Sequence, residues 1–260
     1  MTRVGTAAEL ADLIAARGPA VVLTGAGMST ESGIPDFRSA AGLWAEVDPF
    51  EVASIDAFRR DPTRVWRWYG PRIDGLLAAR PNAGHEALAA LERAGHIRAV
   101  LTQNIDTLHA RAGSASVVEL HGSIASFACL ACGAREPLEA VLAQLRDREA
   151  PLCPACGTIL KPGVVMFGEL LPVDAFARAE RLAREAGVMV VVGSSLQVWP
   201  VAGLPSETLA AGGALAVLNE EATPFDEDAA LVVRARAGEV LAEVERRLRE
   251  PSQDGGNAAS

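Results

Sequence analysis

Residues 25–38 read GAGMSTESGIPDFR and directly follow a short apolar run at residues 20–23 and a threonine. The run is typical of a buried parallel strand, and Gly25 and Gly27 let the backbone turn sharply and approach a phosphate closely. The residues after these glycines can open a helix whose N–H groups face an anion. Together these features predict a dinucleotide pyrophosphate site. An ordinary strand-to-helix turn is the alternative, because Thr30 replaces the third glycine of the G-x-G-x-x-G fingerprint.

The chain on either side of this stretch alternates between strand and helix patterns. Thr6 and Glu9 have capping-box spacing at the start of a first helix. Further apolar runs lie at residues 98–102, 117–120, 188–192, 214–218 and 231–233, and helices are predicted near 84–94, 174–186, 200–211 and 238–249. This alternation predicts an α/β fold with a doubly wound, mostly parallel sheet. Ligands of such sheets bind at the carboxyl ends of the strands.

The bulk composition limits the classes of function. The chain has 260 residues, half of them hydrophobic, and a formal charge of −9, which disfavours a general nucleic-acid binder. No apolar stretch reaches the length of a membrane span, and the N-terminus lacks a secretory pattern, so the expected location is the cytoplasm. Residues 251–260 are expected to form a disordered tail.

Two stretches interrupt the strand and helix alternation. Residues 39–83 hold three of the four tryptophans and the only tyrosine, and are predicted to form a helical insertion. Residues 126–160 contain all four cysteines as two C-x-x-C pairs separated by twenty residues. This spacing predicts one structural zinc ion, with disulfides or buried thiols as the alternative. The four predicted ligands are Cys129, Cys132, Cys153 and Cys156.

Polar residues cluster after several of the predicted strands. Residues 102–106 read TQNID, and His121 follows the strand at 117–120. These residues could simply cap the next helix or support the core. An imidazole titrates near neutrality, however, and can take a proton from a sugar hydroxyl. His85, His96 and His109 are interpreted as structural residues.

The signature at 25–38, the Q-N-x-D segment at 103–106 and His121 together resemble the sirtuins, which are NAD-dependent protein-lysine deacylases. The resemblance extends over nearly all of residues 1–250. It implies a Rossmann-like domain from residues 1–38, 84–125 and 161–250, and a smaller domain from the helical module at 39–83 and the zinc-ribbon module at 126–160. The zinc would be structural, because four thiolates close its coordination sphere.

The resemblance also implies a role for individual residues. His121 would be the general base. NAD would be contacted by Gly25, Ala26, Gly27, Ser32, Asp36, Phe37, Arg38, Trp44, Gln103, Asn104, Ile105, Asp106, Gly193, Ser194, Ser195, Asn219, Glu220, Glu221 and Ala237. The segment with Val164, Phe167, Gly168 and Glu169 would bind an acyl-lysine peptide as an added strand.

The implied reaction consumes NAD and does not reduce it. The acyl oxygen attacks the ribose as nicotinamide leaves, and the products are free lysine and O-acyl-ADP-ribose. A mono-ADP-ribosyltransferase, a dehydrogenase and a zinc-ribbon adaptor are the rival functions. No direct contact with nucleic acid or membrane is expected.

Tyr69 and Arg72 bear on the choice of acyl group. The segment resembles the Y-x-x-R element of the desuccinylase and demalonylase branch of sirtuins, and Ala57 is small where that branch widens its acyl pocket. A hydroxyl and a guanidinium can bind a carboxylate through charge-assisted hydrogen bonds. The sequence therefore predicts removal of succinyl or malonyl as well as acetyl groups, with a plain deacetylase as the alternative. Pro71 could kink the helix and misplace Arg72.

Overall fold

The structure, a computed structural model, describes residues 4–37 and 42–249. Arg38 and the predicted tail at 251–260 lie outside the described residues. None of the described helices combines the length and apolar character needed to cross a bilayer.

The described strands form two separate sheets. In chain order the strands are β1 (Ala20–Thr24), β2 (Ile97–Thr102), β3 (Val117–Glu119), β4 (Gly122–Ala128), β5 (Arg135–Pro137), β6 (Lys161–Val164), β7 (Val188–Val192), β8 (Ala214–Leu218) and β9 (Leu231–Val233). The described α-helices are α1 (Ala7–Arg17), α2 (Pro49–Val52), α3 (Ile55–Arg60), α4 (Pro62–Ala78), α5 (Ala83–Arg93), α6 (Leu108–Arg111), α7 (Leu138–Leu145), α8 (Val173–Glu185), α9 (Leu204–Ala210) and α10 (Ala237–Arg249).

The larger sheet has six parallel strands in the order β3-β2-β1-β7-β8-β9. The order reverses between β1 and β7, and the crevice at such a reversal is where doubly wound sheets bind ligands. The predicted doubly wound α/β fold is therefore confirmed. The loops after β1 and β7, which contain Gly25 and Gly193, leave the sheet on the two sides of this crevice.

Helices cover both faces of the large sheet. Side chains alternate along a strand, so Val22 of β1 packs with α1, α5 and α10, whereas Val21 and Leu23 pack with α8 and α9. The capping box at the start of α1 is confirmed: the Thr6 backbone N–H donates to Glu9 at 2.9 Å, and the Glu9 N–H donates to Thr6 Oγ1 at 3.3 Å. Two apolar layers thus hold the sheet rigid beneath its loops.

The smaller sheet is antiparallel, in the order β5-β4-β6. Its core contains side chains from both predicted insertions, including Trp66 of α4 and Phe127 of β4, whose ring centroids are 5.8 Å apart. Trp66 also donates from Nε1 to the Leu160 carbonyl at 2.7 Å. The helical segment and the cysteine-containing segment therefore share one hydrophobic core, to which β6 contributes Val164.

The structure settles two local features that the sequence left open. The glycine turn after β1 continues into two short 3-10 turns, Ala26–Met28 and Thr30–Ser32, instead of the predicted helix. Gly33 ends the second turn with φ +83°, a left-handed conformation that stops helix propagation. In contrast, α4 continues through Pro71, so the proline does not separate Tyr69 from Arg72. An α-helix can pass a proline when neighbouring contacts hold the chain on both sides.

Candidate active site

Glycines after β1 and β7 interlock at the centre of the crevice. Gly25 donates to the Val192 carbonyl at 3.0 Å, and Gly27 donates to the Gly193 carbonyl at 2.9 Å. A Cβ on Gly193 would lie 2.3 Å from the backbone nitrogen of Met28, and one on Gly27 would lie 2.8 Å from the Gly193 Cα. The absence of side chains at these positions therefore lets the two loops touch backbone to backbone.

The side-chain amides of Gln103 and Asn104, which follow β2, form hydrogen bonds with both of these loops. Gln103 donates from Nε2 to Ser194 Oγ at 2.9 Å, and Asn104 donates from Nδ2 to the Gly25 carbonyl at 3.0 Å. Three of the predicted NAD segments, after β1, β2 and β7, are thus brought together by direct hydrogen bonds. Ile105 lies in the same loop after β2, and its carbonyl accepts from the Ile124 N–H of β4 at 3.0 Å, which links this loop to the smaller sheet.

Ser29 is a site residue that the sequence analysis missed. Its hydroxyl donates to Asp106 Oδ2 at 2.6 Å and accepts from Asn104 Nδ2 at 3.2 Å. The Leu108 N–H donates to the other Asp106 oxygen at 2.9 Å. Burial raises the pKa of Asp106, and the hydrogen bonds from Ser29 and Leu108 oppose that rise. Ser29 lies inside the signature at 25–38, but nothing in the signature indicates that its partner is 77 residues away.

His121 lies two residues after the end of β3, and its ring contacts the backbone of Gln103. Its Nδ1 is 3.1 Å from the Gln103 carbonyl oxygen. Because a carbonyl can only accept, this contact favours a proton on Nδ1, and in that tautomer of the ring Nε2 is the basic nitrogen. The His121 carbonyl accepts from the Val165 N–H at 2.8 Å, so the predicted base and the predicted substrate segment are directly linked.

An aromatic wall borders this segment. Phe37 stacks on Trp44 at 5.1 Å between ring centroids, and Trp44 stacks on Trp68 at 5.6 Å. Phe167 lies 6.4 Å from Trp44, and its backbone is held by hydrogen bonds with Ala53 and Ile55. The structure therefore places Trp44, a predicted NAD contact, beside the predicted substrate residue Phe167, and Phe37, another predicted NAD contact, beside Trp44.

Tyr69 and Arg72 lie next to this wall on α4. The Arg72 guanidinium stacks 4.2 Å above the Trp68 ring and donates to the Trp68 carbonyl at 2.6 Å. Its Nε is buried, and no atom among the described residues accepts its hydrogen bond. Burial raises the pKa of the Tyr69 hydroxyl above its usual range and lowers the pKa of Arg72. The tyrosine is therefore a neutral hydrogen-bond donor at physiological pH.

The last four of the predicted NAD contacts, Asn219, Glu220, Glu221 and Ala237, lie after β8 and at the start of α10. Asn219 donates from Nδ2 to the Glu221 carbonyl at 2.9 Å, while Glu220 and Glu221 are exposed. Ala237 is buried at the first turn of α10. The next residue, Gly238, donates to the Glu31 carboxylate at 2.7 Å. Glu31, which the sequence analysis also missed, thus ties the loop after β1 to α10.

Two buried histidines support the crevice from below. The rings of His85 and His109 lie 4.7 Å apart, and His109 Nε2 is 3.0 Å from Thr24 Oγ1. Burial lowers the pKa of His85 to about 4 and the pKa of His109 to about 3, the latter also through the charge of His85. Both are neutral at physiological pH, consistent with the structural interpretation from the sequence.

The four cysteines form a compact cluster at the tip of the smaller sheet. Cys129 and Cys156 Sγ atoms are 3.4 Å apart, Cys132 and Cys153 Sγ atoms are 3.6 Å apart, and all four lie within 4.8 Å of one another. Thiolates about 2.3 Å from a shared zinc ion would have separations of this order, whereas a disulfide requires about 2 Å. The thiol set and its spacing therefore fit a structural zinc ion.

The crevice also fits a dinucleotide. Its rim carries amide and hydroxyl groups from Gln103, Asn104, Ser194 and Ser195 at the carboxyl ends of parallel strands. The Ser32 hydroxyl is buried and has no partner among residues 4–37 and 42–249, so it is available to a bound ligand. The fold and the site together define a Rossmann-like α/β protein with a dinucleotide crevice and a structural metal site.

Comparison with known proteins specifies the family. The Sir2 family profile matches residues 25–200. The chain is 46% identical to NAD-dependent protein deacylase 2 of Pyrobaculum aerophilum, over 93% of this chain and 97% of the relative. It is 45% identical to the NAD-dependent protein deacetylase of Sulfolobus acidocaldarius, over 94% and 96% of the respective chains.

The similarity extends to three dimensions. A solved Sir2 structure with a deacetylated p53 peptide and 3′-O-acetyl ADP-ribose is similar at a TM-score of 0.89 and 41% identity, over 94% of this chain and 98% of that one. The chain belongs to the Sir2 family, the sirtuins. It is thus an NAD-dependent protein deacylase or deacetylase, with NAD as co-substrate and four cysteines for a structural zinc ion.

Proposed function

We propose that this deacylase favours lysine acyl groups that end in a carboxylate, such as succinyl and malonyl, over acetyl. The buried Arg72 Nε, which has no acceptor among the described residues, carries this proposal. A buried donor without an acceptor is costly, and a carboxylate from the substrate supplies the missing acceptor. The guanidinium stays charged at physiological pH despite its lowered pKa, because an arginine titrates far above neutrality.

Tyr69 complements this receptor. It lies one helical turn before Arg72 on α4, and its raised pKa keeps the hydroxyl protonated and able to donate. Tyr69 is 9% exposed, so a carboxylate bound to it would be largely screened from water. Hydrogen bonds to charged groups are stronger in such an environment than at the surface.

His121 is the proposed general base. The Gln103 carbonyl holds Nδ1–H, so the ring presents Nε2 as the basic nitrogen in a fixed orientation. In this role it accepts a proton from a ribose hydroxyl of the co-substrate while the acyl group moves to the sugar. Asn104 and Asp106, fixed through Ser29, are the proposed contacts for the nicotinamide end. The bound substrates would supply the electrophilic ribose and the acyl oxygen that attacks it.

The acyl preference is tested by kinetics on matched peptides. Acetyl-, malonyl- and succinyl-lysine versions of one peptide are compared for kcat/KM with the native protein, Arg72→Met and Tyr69→Phe. Arg67→Met is the control, because Arg67 lies on the same helix but pairs with Glu149 at an exposed position. Loss of a charge-assisted hydrogen bond predicts about a tenfold or greater fall in the succinyl-to-acetyl ratio for Arg72→Met.

The other outcomes are equally specific. An unchanged ratio in Arg72→Met would contradict the carboxylate receptor. Faster turnover of the acetyl peptide by the native protein would assign a plain deacetylase. Transfer of radiolabel from NAD to protein, without release of deacylated peptide, would assign a mono-ADP-ribosyltransferase.

A further inference from the structure

Lys161 is the only lysine in the chain, and it is buried at the start of β6. Its Nζ donates to the carbonyls of Pro162 at 3.0 Å and Val164 at 2.6 Å, and it forms an ion pair with Glu169 Oε2 at 2.9 Å. A lysine ammonium has three N–H donors, so this arrangement can satisfy all of them. A surface basic residue recruited only for solubility would not be enclosed in this way.

Glu169, at the other end of this segment, is held by hydrogen bonds to the backbone of Met166. The same Oε2 accepts from the Met166 N–H at 2.8 Å, and the Glu169 N–H donates to the Met166 carbonyl at 3.0 Å. The carboxylate is therefore engaged within its own segment, at the turn formed by residues 166–169. In the same segment, the Val165 N–H donates to the His121 carbonyl and the Phe167 N–H donates to the Ala53 carbonyl.

The ion pair also adjoins the proposed acyl receptor. Tyr69 packs in the same core as Val164 and Met166, the residues on either side of Val165. After burial, the charge of Glu169 is the next cause of the raised pKa of Tyr69. Without a compensating cation, this carboxylate would repel a negatively charged acyl group bound nearby.

We propose that Lys161 and Glu169 are positioning residues that hold segment 165–168 in register with His121, and that Lys161 neutralises Glu169 so that a carboxylate on the acyl group is tolerated. The first half concerns deacylation in general. The second half rests on the acyl preference proposed above. Both halves assign an internal role to Glu169, which the sequence analysis had predicted as a substrate contact.

Kinetics with three variants separate these roles from simple support of the fold. Lys161→Met removes the cation, Lys161→Arg retains it, and Lys161→Met/Glu169→Gln removes both charges without leaving an unpaired carboxylate. Glu149→Gln is the control, because it breaks the exposed ion pair with Arg67. Zinc content and thermal melting establish that each variant is folded before KM and kcat are measured for peptide and NAD.

Displacement of the segment by about 1 Å predicts at least a tenfold loss in kcat/KM for the acetyl peptide in Lys161→Met. The KM for NAD should stay within about twofold, since the cofactor loops are held by separate hydrogen bonds. Unscreened repulsion predicts a further fall of about tenfold in the succinyl-to-acetyl ratio. Lys161→Arg should keep the native ratio, and the double variant should restore the ratio but not the acetyl kcat/KM.

The possible failures are distinguishable. A folded Lys161→Met protein with native acetyl kcat/KM would overturn the positioning role, whatever the acyl preference. A lowered acetyl kcat/KM with an unchanged succinyl-to-acetyl ratio would overturn the neutralising role. If the native protein shows no acidic-acyl preference, the proposed function fails while the acetyl measurement still decides the positioning role. If Lys161→Met does not fold, the double variant supplies the acetyl measurement.

Amine labelling gives a readout that does not depend on activity. Because the chain has a single lysine, succinic anhydride followed by proteolysis and mass spectrometry reports on Lys161 alone among the side chains. The enclosed ammonium should react at least tenfold more slowly in the native protein than in urea, and Glu169→Gln should reduce that protection. Equal labelling in native and unfolded protein would overturn the enclosed pair.

Discussion

The backbone nitrogen of Gly27 donates a 2.9 Å hydrogen bond to the carbonyl oxygen of Gly193, at the point where the strand order of the large sheet reverses. These residues are 166 positions apart in the chain (193 − 27). Neither can carry a Cβ without meeting the other loop. The two sides of the crevice are therefore joined backbone to backbone. Because of this contact, an added side chain at either glycine is expected to force the two loops apart.

Gly193→Ala should destabilise the protein and abolish NAD binding. Gly193 has φ +58°, and its added Cβ would lie 2.3 Å from the Met28 nitrogen, so the loops must separate. Left-handed strain costs about 1–2 kcal/mol, and the clash should raise the loss to about 3 kcal/mol or more. Urea denaturation and calorimetric titration with NAD measure both effects.

Gly212→Ala is the matched control for that substitution. Gly212 has φ +85° but open space around its Cα, so alanine there adds the strain without the clash. It should cost about 1–2 kcal/mol and leave the affinity for NAD unchanged. Equal stability losses in the two variants would refute the interlocking of the loops.

His121→Ala should remove turnover while NAD still binds. Loss of a positioned general base lowers kcat by about 100-fold to 10,000-fold, whereas the loop contacts that hold the cofactor remain. Nicotinamide release from NAD and acyl peptide measures the first effect, and calorimetry measures the second. His96→Ala, at a half-buried position between α5 and β2, serves as the control. Native rates of deacylation in His121→Ala would remove the residue from its assigned role.

Chelation of zinc should unfold the smaller sheet before the larger one. Cys129 and Cys153 belong to the core that also contains Trp66. Loss of the metal therefore removes the link that holds these two cysteines in the packed core. Binding of a structural zinc ion contributes about 10 kcal/mol or more to folding of its site. A strong chelator should therefore lower the melting temperature and abolish deacylation, and added Zn²⁺, but not Mg²⁺, should restore both. Unaltered melting after verified zinc loss would contradict this prediction.

Stability should fall as the pH drops below about 6.5. The folded-state pKa values of His85 and His109 are about 4 and about 3, below the ordinary value of 6.5. Between 6.5 and 4 the unfolded chain binds protons that the folded chain does not, so stability is complete above this window and is lost on acidification. Between pH 7 and pH 5 each histidine should lower the free energy of unfolding by about 2 kcal/mol.

Urea midpoints at these two pH values measure the effect. Asp106 has a raised pKa and acts in the opposite sense, gaining stability as the pH falls through its folded pKa. The loss of stability on acidification should be smaller in His109→Asn than in the native protein, and it should be unchanged in His96→Asn. Equal midpoints at pH 7 and pH 5 in the native protein would rule out neutral buried histidines as the cause.

The elements of the large sheet could be predicted from the sequence because their signals are local. Continuous apolar runs located β7, β8 and β9 to the residue, and the capping box located the start of α1. The two C-x-x-C pairs likewise indicated the zinc site, since ligand spacing within each pair is set by a single turn. The signature at 25–38, together with the Q-N-x-D segment and His121, indicated the family by resemblance.

The features that the sequence analysis did not identify depend on residues far apart in the chain. Nothing local indicates that Ser29 bonds Asp106, that Glu31 holds the start of α10, or that Gly27 meets Gly193. The course of α4 through Pro71 is of the same kind, because core packing of Trp66 and Tyr69 overrides a local helix-breaking preference.

The sequence by itself therefore determined the α/β class and the metal ligands, because both follow from short-range periodicity and spacing, and it indicated the family through the resemblance of several short motifs. The tertiary structure decided which side chains share the crevice, how the two insertions form one core, and that the single lysine faces inward to Glu169. Those features depend on where distant loops converge, and that convergence is produced by burial of the sheet faces, which no single segment encodes.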